Sequence, residues 1–160
     1  MKKFVAALAL ALAACSPAPS GNPPMPVESG PQPAQAPAEV LAAISAAVPG
    51  FTATSAVSDN STGAQGFRVT GRANGQTHNV QLMHMNEGWQ VVSIRRDVAW
   101  ADAPQAVRTA AGATQPTRVV ENREPGADGV IYELYTANTE TPATEVRFAD
   151  GQAAVMPPAH

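Results

Sequence analysis

Lysine and cysteine are nearly absent from this chain. Its only cysteine is Cys15, and its two lysines, Lys2 and Lys3, lie at the N-terminus. A single cysteine excludes an intramolecular disulfide, and the rest of the chain has no lysine for a Schiff base or a phosphate-binding loop. From Cys15 onwards, eight arginines stand against thirteen acidic residues, which gives a net charge of −5. This balance excludes a strongly basic surface, so we expect no nucleic-acid partner.

The N-terminus carries an apolar run that is too short to cross a membrane. The run covers residues 4–13 and follows Lys2 and Lys3, whereas a transmembrane helix needs ~20 apolar residues. A positive start followed by a short apolar run is typical of a secretion signal. We therefore predict a signal peptide over residues 1–14.

The predicted signal ends in a short motif, Leu12-Ala13-Ala14-Cys15. It resembles the lipobox of bacterial lipoproteins, in which a peptidase cuts before the cysteine and the thiol receives a diacylglycerol. The resemblance implies a lipidated Cys15 carrying fatty acids such as palmitate, and several acyl chains together anchor a protein for long times. An ordinary signal with a chance cysteine is the alternative. Ser16 implies sorting to the outer membrane with the domain facing the periplasm, while the inner membrane and the cell surface remain open.

Residues 15–37 are predicted to be a disordered linker behind the lipidated cysteine. Eight of the fifteen prolines lie there, among Ala, Ser, Gly and Gln with almost no charge. Such a composition cannot bury a core and stays extended. At ~3.1 Å per residue the linker would reach on the order of 60–70 Å, which would lift a domain at 38–160 clear of the lipid.

An internal repeat is the most informative feature of residues 38–160. A shift of 63 residues aligns 38–95 with 101–158 without a gap, and ten positions are identical. Turn residues meet turn residues, because 63–66 falls on 126–129. This coincidence predicts two repeats of about 60 residues, 38–100 and 101–158.

Each predicted repeat contains one helix followed by four strands. The first helix has an apolar face from Val40 to Val48, and in the second repeat Asp102 is the expected N-cap of a helix that ends at Gly112. The alternation of apolar and polar residues and the turn residues predict strands over residues 52–58, 67–72, 79–85, 89–95, 117–122, 130–136, 143–149 and 152–156. The predicted fold class is α+β: two helix-plus-antiparallel-sheet repeats, with the helices on one sheet face and the other face exposed to solvent.

Two strand segments carry a family resemblance. Residues 130–135, Val-Ile-Tyr-Glu-Leu-Tyr, and residues 145–151, Glu-Val-Arg-Phe-Ala-Asp-Gly, resemble the PepSY-like repeats of bacterial envelope proteins. The first repeat matches less closely, because Phe-Arg-Val-Thr at 67–70 replaces the tyrosine-glutamate pair. The resemblance implies a tandem PepSY-like domain over 38–160, similar in fold to the beta-lactamase inhibitor protein. It also implies a role in restraining peptidases or in binding envelope proteins, and it brings no catalytic residues.

The sequence marks no catalytic or metal site. His78 and His84 lie six residues apart on one predicted strand, about 20 Å at ~3.3 Å per residue, which is too far to share a metal. The serines lack a Gly-x-Ser-x-Gly context, and no thiol beyond Cys15 is available for catalysis. We therefore predict that the protein is not an enzyme and has no cofactor and no metal site.

Charged residues concentrate in two places. Arg95 and Arg96, together with Trp100, join the two predicted repeats and are candidate partner-binding residues, because Arg and Trp are enriched in binding hot spots. The alternative is that Trp100 covers the joint and the arginines pair with nearby acids. The second place is an acidic group without the alternating spacing of a calcium loop, which we interpret as a solvated acidic face: Glu121, Glu124, Asp128 and Glu133.

These observations predict a membrane-anchored envelope lipoprotein that works as a protein-binding module, and restraint of a peptidase is a role that the PepSY-like resemblance implies for it. Its partners would be the membrane, through the lipid, and an envelope protein of unknown identity. One alternative is a small-ligand-binding or catalytic domain of the NTF2-like type, which has helices over a curved sheet but no internal duplication. Another is a purely structural envelope protein.

Overall fold

The computed structural model describes residues 36–60, 63–137 and 139–157. The predicted signal peptide, Cys15 and the predicted linker up to residue 35 lie outside the described residues. Ala36 is buried against the first helix and so belongs to the folded part of the chain. None of the helices in the described part of the chain is long and apolar enough to span a membrane.

Within the residues described, eight antiparallel strands form one sheet, and every strand pairs with the next one along the chain. In order they are β1 (Thr52–Ser58), β2 (Gly66–Ala73), β3 (Gln76–Met85), β4 (Gly88–Val98), β5 (Arg118–Arg123), β6 (Val130–Tyr135), β7 (Thr144–Ala149) and β8 (Gln152–Val155). Helix α1 (Ala38–Ala47) precedes β1, and a 3₁₀ helix (Trp100–Asp102) and α2 (Gln105–Ala110) connect β4 to β5. The eight predicted strand positions are therefore confirmed, because alternation and glycine turns were sufficient to locate them.

The predicted fold class, two helix-plus-sheet repeats of about 60 residues, is wrong. The chain builds a single eight-stranded sheet that continues across residue 100. Helices form only a small part of the fold, because α2 has only six residues and α1 has ten. Helix α2 is short because residues at both ends stop it. Pro104 directly precedes it and lacks the N–H group that an earlier helical turn would need, and Gly112 follows shortly after it at φ 62°.

The length of β4 explains why the sheet does not divide. This strand runs for eleven residues to Val98, three residues beyond its predicted end at 95. The extension supplies three of the five positions at which β4 pairs with β5, from Ile94–Arg123 to Val98–Val119. The sequence did not predict this extension, because Arg95, Arg96 and Asp97 are typical of a polar loop between two elements.

Both helices pack on the same face of the sheet, which we call the helix face. On one half of the sheet, Val40 and Ile44 of α1 are buried against Val69, Val80 and Leu82. On the other half, Val107 of α2 is buried with residues that the strand register places on the same face: Tyr132, Leu134 and Val146. The opposite side of the sheet, which no helix contacts in the described part of the chain, is called the open face.

The two helices begin and end for identifiable reasons. In α1, Val40, Ile44 and Val48 recur at helical spacing and are buried, and Gly50 at φ 77° ends the segment. The predicted N-cap of α2 is wrong: Asp102 lies in the 3₁₀ helix, and Pro104 occupies the N-cap position without a side-chain cap. The start of α2 is instead held by Arg108, whose guanidinium donates to the carbonyl of Ala103 at 2.8 Å.

Candidate functional site

The predicted partner-binding residues Arg95 and Arg96 lie on opposite faces of the sheet. They are neighbours on β4, and successive side chains of a strand point to opposite sides. Arg95 pairs in register with Asn122 and faces the open side, whereas Arg96 pairs with Glu121 on the helix face. The two arginines therefore belong to different clusters, each organised around a buried glutamate.

On the open face, Glu133 is the centre of a hydrogen-bonded network. The guanidinium of Arg95 donates to Glu133 and, at 3.3 Å, to the hydroxyl of Tyr135. The Tyr135 hydroxyl donates to Glu133 at 2.9 Å, and the Asn122 amide donates to it at 3.2 Å. Glu133 is only 4% exposed and Tyr135 only 3%, so the expectation that Glu133 lies on a solvated acidic face is wrong.

Further side chains on the open face continue this network. Ser93 donates to the amide oxygen of Asn122 at 2.8 Å. Arg118 lies over the Tyr135 ring, 5.1 Å from its centroid, and its Nε donates to Asp97 at 2.7 Å. Burial raises the pKa of the Tyr135 hydroxyl, and the negative Glu133 beside it raises it further. Because each side chain is held by at least one partner, the arginines have restricted positions.

A shallow groove of about 440 Å³ runs over this part of the open face. Its lining is mainly polar: Arg68, Asn79, Gln81, Arg95, Arg96, Asp97, Arg118, Val120, Tyr135 and Glu140. No histidine, cysteine or serine is among these lining residues. The groove therefore offers hydrogen-bond donors, acceptors and charges, but no nucleophile paired with a base.

On the helix face, Glu121 is held by two arginines. Arg96 donates two hydrogen bonds to the carboxylate, of 3.2 Å from Nε and 2.8 Å from Nη2. The Nε of Arg123 donates a third, of 2.7 Å. Burial alone raises the pKa of Glu121, but the hydrogen bonds from the two arginines outweigh it, so the pKa lies below its ordinary value. We call Arg96, Glu121 and Arg123 the Glu121 cluster.

The third predicted partner-binding residue, Trp100, belongs to neither of the two arginine clusters. It is half-buried and packs against the apolar cluster around α2, so much of its indole contributes to the core. The histidines are also separate from each other: His84 makes an edge contact with Trp89 at 5.1 Å, and His78 lies at the other end of β3. Among the described residues, no group of three or more His, Cys, Asp or Glu side chains is arranged to hold a metal ion.

The two central glutamates were misread from the sequence as part of a solvated acidic face. Glu121 and Glu133 are both 4% exposed, whereas Glu124 and Asp128 are exposed in the turn between β5 and β6. A local signal existed, because Glu121 follows Val119 and Val120 and Glu133 lies between Tyr132 and Leu134. An acid inside an apolar strand needs a cation as partner, and the two arginines of β4 provide it.

Three comparisons with known proteins return nothing to which this chain is similar. No protein-family model matches it, no curated protein matches its sequence, and no solved structure matches its fold.

Proposed function

We propose that the protein is a membrane-tethered binding module that holds another envelope protein against the open face of its sheet. The observation that carries this proposal is the polar groove of about 440 Å³ over β2–β6, on the side of the sheet that the helices leave uncovered. Helices pack on the other face, so in the described part of the chain the open face is the side of the sheet that no helix covers.

The side chains in the groove favour protein binding because they are already positioned. Arg95 and Arg118 are partly exposed and rich in donors, and arginine is enriched in binding hot spots. Their hydrogen bonds to Glu133 and Asp97 hold them in one arrangement before a partner arrives. Side chains that need no further ordering lose less conformational entropy on binding.

The tether is the second part of the proposal. A lipid on Cys15 and an extended segment up to residue 35 would present the sheet to proteins at a distance from the membrane. The outer membrane with the domain in the periplasm is the location that Ser16 implies. Restraint of an envelope peptidase is the role that the resemblance of β6 and β7 to PepSY-like repeats implies.

A second candidate function is the binding of a small polar ligand in the same groove. Its volume falls within the range of about 300–1,000 Å³ that is usual for ligand pockets. Against this candidate, such pockets are normally lined mainly by apolar side chains, whereas this groove is lined mainly by polar ones. Protein binding therefore remains the preferred proposal.

A capture experiment with matched variants tests the binding proposal. The full chain serves as bait for envelope extract, and Gln81→Arg places a long charged side chain in the groove. We expect Gln81→Arg to weaken capture by about tenfold or more. Gln90→Arg is the control, because Gln90 is exposed on the same face and lies outside the groove lining. Equal capture by both folded variants would contradict the proposal.

The anchor is tested separately with Cys15→Ser. Because the chain has no other thiol, the variant should incorporate no labelled fatty acid, and globomycin should no longer change its processing. Labelled acyl chains on the variant would show that the anchor is elsewhere.

A further inference from the structure

A second cavity lies on the helix face, and Arg96 is the one residue that its lining shares with the groove. It is a crevice of about 340 Å³ between the C-terminal end of α1 and the strands β3–β5. Residues 47–49 form one wall, and the opposite wall includes His78, Arg96, Glu121 and Arg123. The crevice thus combines the Glu121 cluster with a histidine that has no part in the proposed function.

The charges in this crevice do not balance. Two guanidinium groups share the single carboxylate of Glu121, which is the only acidic side chain among the lining residues. Its oxygens already accept three hydrogen bonds from these arginines. One positive charge therefore remains uncompensated in a partly desolvated place, in a chain whose net charge is negative.

Arg123 has unused hydrogen-bonding capacity at this point. Within the described residues only its Nε is engaged, in the 2.7 Å bond to Glu121. The side chain is 59% exposed, so its two terminal nitrogens are available to a ligand from solvent. A guanidinium with its Nε fixed and its terminal nitrogens free can donate to an oxyanion in a defined direction.

His78 provides a second and independent observation. Its Nδ1 is buried and has no hydrogen-bond partner among the described residues. A buried polar atom without a partner is costly. Because the His78 ring lines the crevice, a turn of the ring would bring this nitrogen to a ligand there. An imidazole nitrogen can either donate to an oxyanion oxygen or accept from its hydroxyl group.

We propose that this crevice binds a compact oxyanion, a carboxylate or phosphate group, between Arg123, Arg96 and His78. Two features of the walls set its strength. Glu121 neutralises half of the guanidinium charge, and the C-terminal end of α1 contributes partial negative charge. The site therefore takes a single small anionic group with a dissociation constant on the order of millimolar.

The test is a nuclear magnetic resonance titration of the full chain at constant ionic strength, with sodium acetate and inorganic phosphate as probes and sodium chloride as reference. We expect saturable shifts of the backbone amide signals of His78, Arg96 and Arg123 with at least one probe and none with chloride. Saturation by acetate alone identifies a carboxylate site, and saturation by phosphate identifies a site that also accepts phosphate groups.

Arg118 supplies a matched control for Arg123. Both arginines lie on β5, both donate from Nε to a carboxylate at 2.7 Å, and both are more than half exposed. They differ in face, since Arg118 is on the open face. Arg123→Gln should weaken binding by about tenfold or more, the effect of losing one charge-assisted contact, and Arg118→Gln should leave it unchanged.

Three results would overturn the proposal. These are the absence of saturation by either probe, equal weakening by Arg118→Gln and Arg123→Gln, and undiminished binding by a folded Arg123→Gln variant. If Arg123→Gln does not fold, Arg123→Lys serves in its place: it keeps the charge but loses the forked donor, and it should weaken binding by about threefold.

Discussion

At the scale of single residues, two buried glutamates, Glu121 and Glu133, connect the central strands of the sheet. Removing a carboxylate from water is costly unless cations and hydrogen bonds compensate. Glu121 receives that compensation from Arg96 and Arg123, and Glu133 receives it from Arg95, Asn122 and Tyr135. Because these partners come from β4, β5 and β6, each glutamate ties neighbouring strands together through side chains as well as backbone.

Glu121→Gln should reveal this role through the pH dependence of stability. The folded-state pKa of Glu121 lies below its ordinary value of 4.5, so the carboxylate's contribution to stability is fully present above about pH 4.5 and is lost as the pH falls through the folded-state pKa. At pH 7 the variant should be less stable by about 2–3 kcal/mol, and the gap to the wild type should narrow below pH 4.5. Urea unfolding at a series of pH values measures this difference in the free energy of unfolding.

The control for this prediction is Glu124→Gln, which removes an exposed carboxylate just beyond the end of β5. It should change the free energy of unfolding by less than about 0.5 kcal/mol. A gap for Glu121→Gln that stays constant from neutral to acidic pH would show that the ionised carboxylate does not stabilise the fold.

Tyr132 is the largest buried side chain in the apolar cluster around α2. It is buried, and its ring makes an edge contact with Phe148 at a centroid distance of 6.4 Å. Tyr132→Ala should lower the free energy of unfolding by about 3–5 kcal/mol, and Phe148→Ala, at a half-buried position, by about 2 kcal/mol. Tyr132→Phe should cost much less, because its hydroxyl reaches Glu121 only at 3.5 Å. Equal melting temperatures for wild type and Tyr132→Ala would contradict this assignment.

At the level of elements, the strands could be predicted from the sequence and their assembly could not. Alternation and glycine turns depend on neighbouring residues, so they located all eight strands. The pairing of β4 with β5 joins residues that are about 25 positions apart and lie on either side of α2. Local patterns contain no information about such a pairing, and the charged residues 95–97 concealed that β4 continues.

The chain's two tryptophans test whether the sheet is one cooperative unit. Trp89 packs against the apolar cluster around α1, and Trp100 packs against the cluster around α2. Trp89→Phe and Trp100→Phe each leave one fluorescent reporter, on a different half of the sheet. Since β4 and β5 pair at five positions, we expect the fluorescence and circular dichroism midpoints to coincide within each variant. A fluorescence midpoint that differs from the circular dichroism midpoint would indicate two independently unfolding halves.

At the level of the whole molecule, the sequence indicated where to look for a site but not its geometry. It singled out Arg95 and Arg96, and both are central to charged clusters. Their separation onto opposite faces follows from strand alternation once β4 is known to extend through them. Their partners could not be identified, because Glu121 and Glu133 approach β4 only through the pairing of β4, β5 and β6.

The central claim is that a partner binds the open face of the sheet, and site-specific photocrosslinking in living cells tests it most directly. A photoreactive amino acid at position 81 lies in the groove, and one at position 45, exposed on α1, lies on the opposite side of the sheet. We predict a discrete crosslinked envelope protein from position 81 and none from position 45. Crosslinking from position 45 alone, or from neither position, would contradict the claim that the open face is the binding surface.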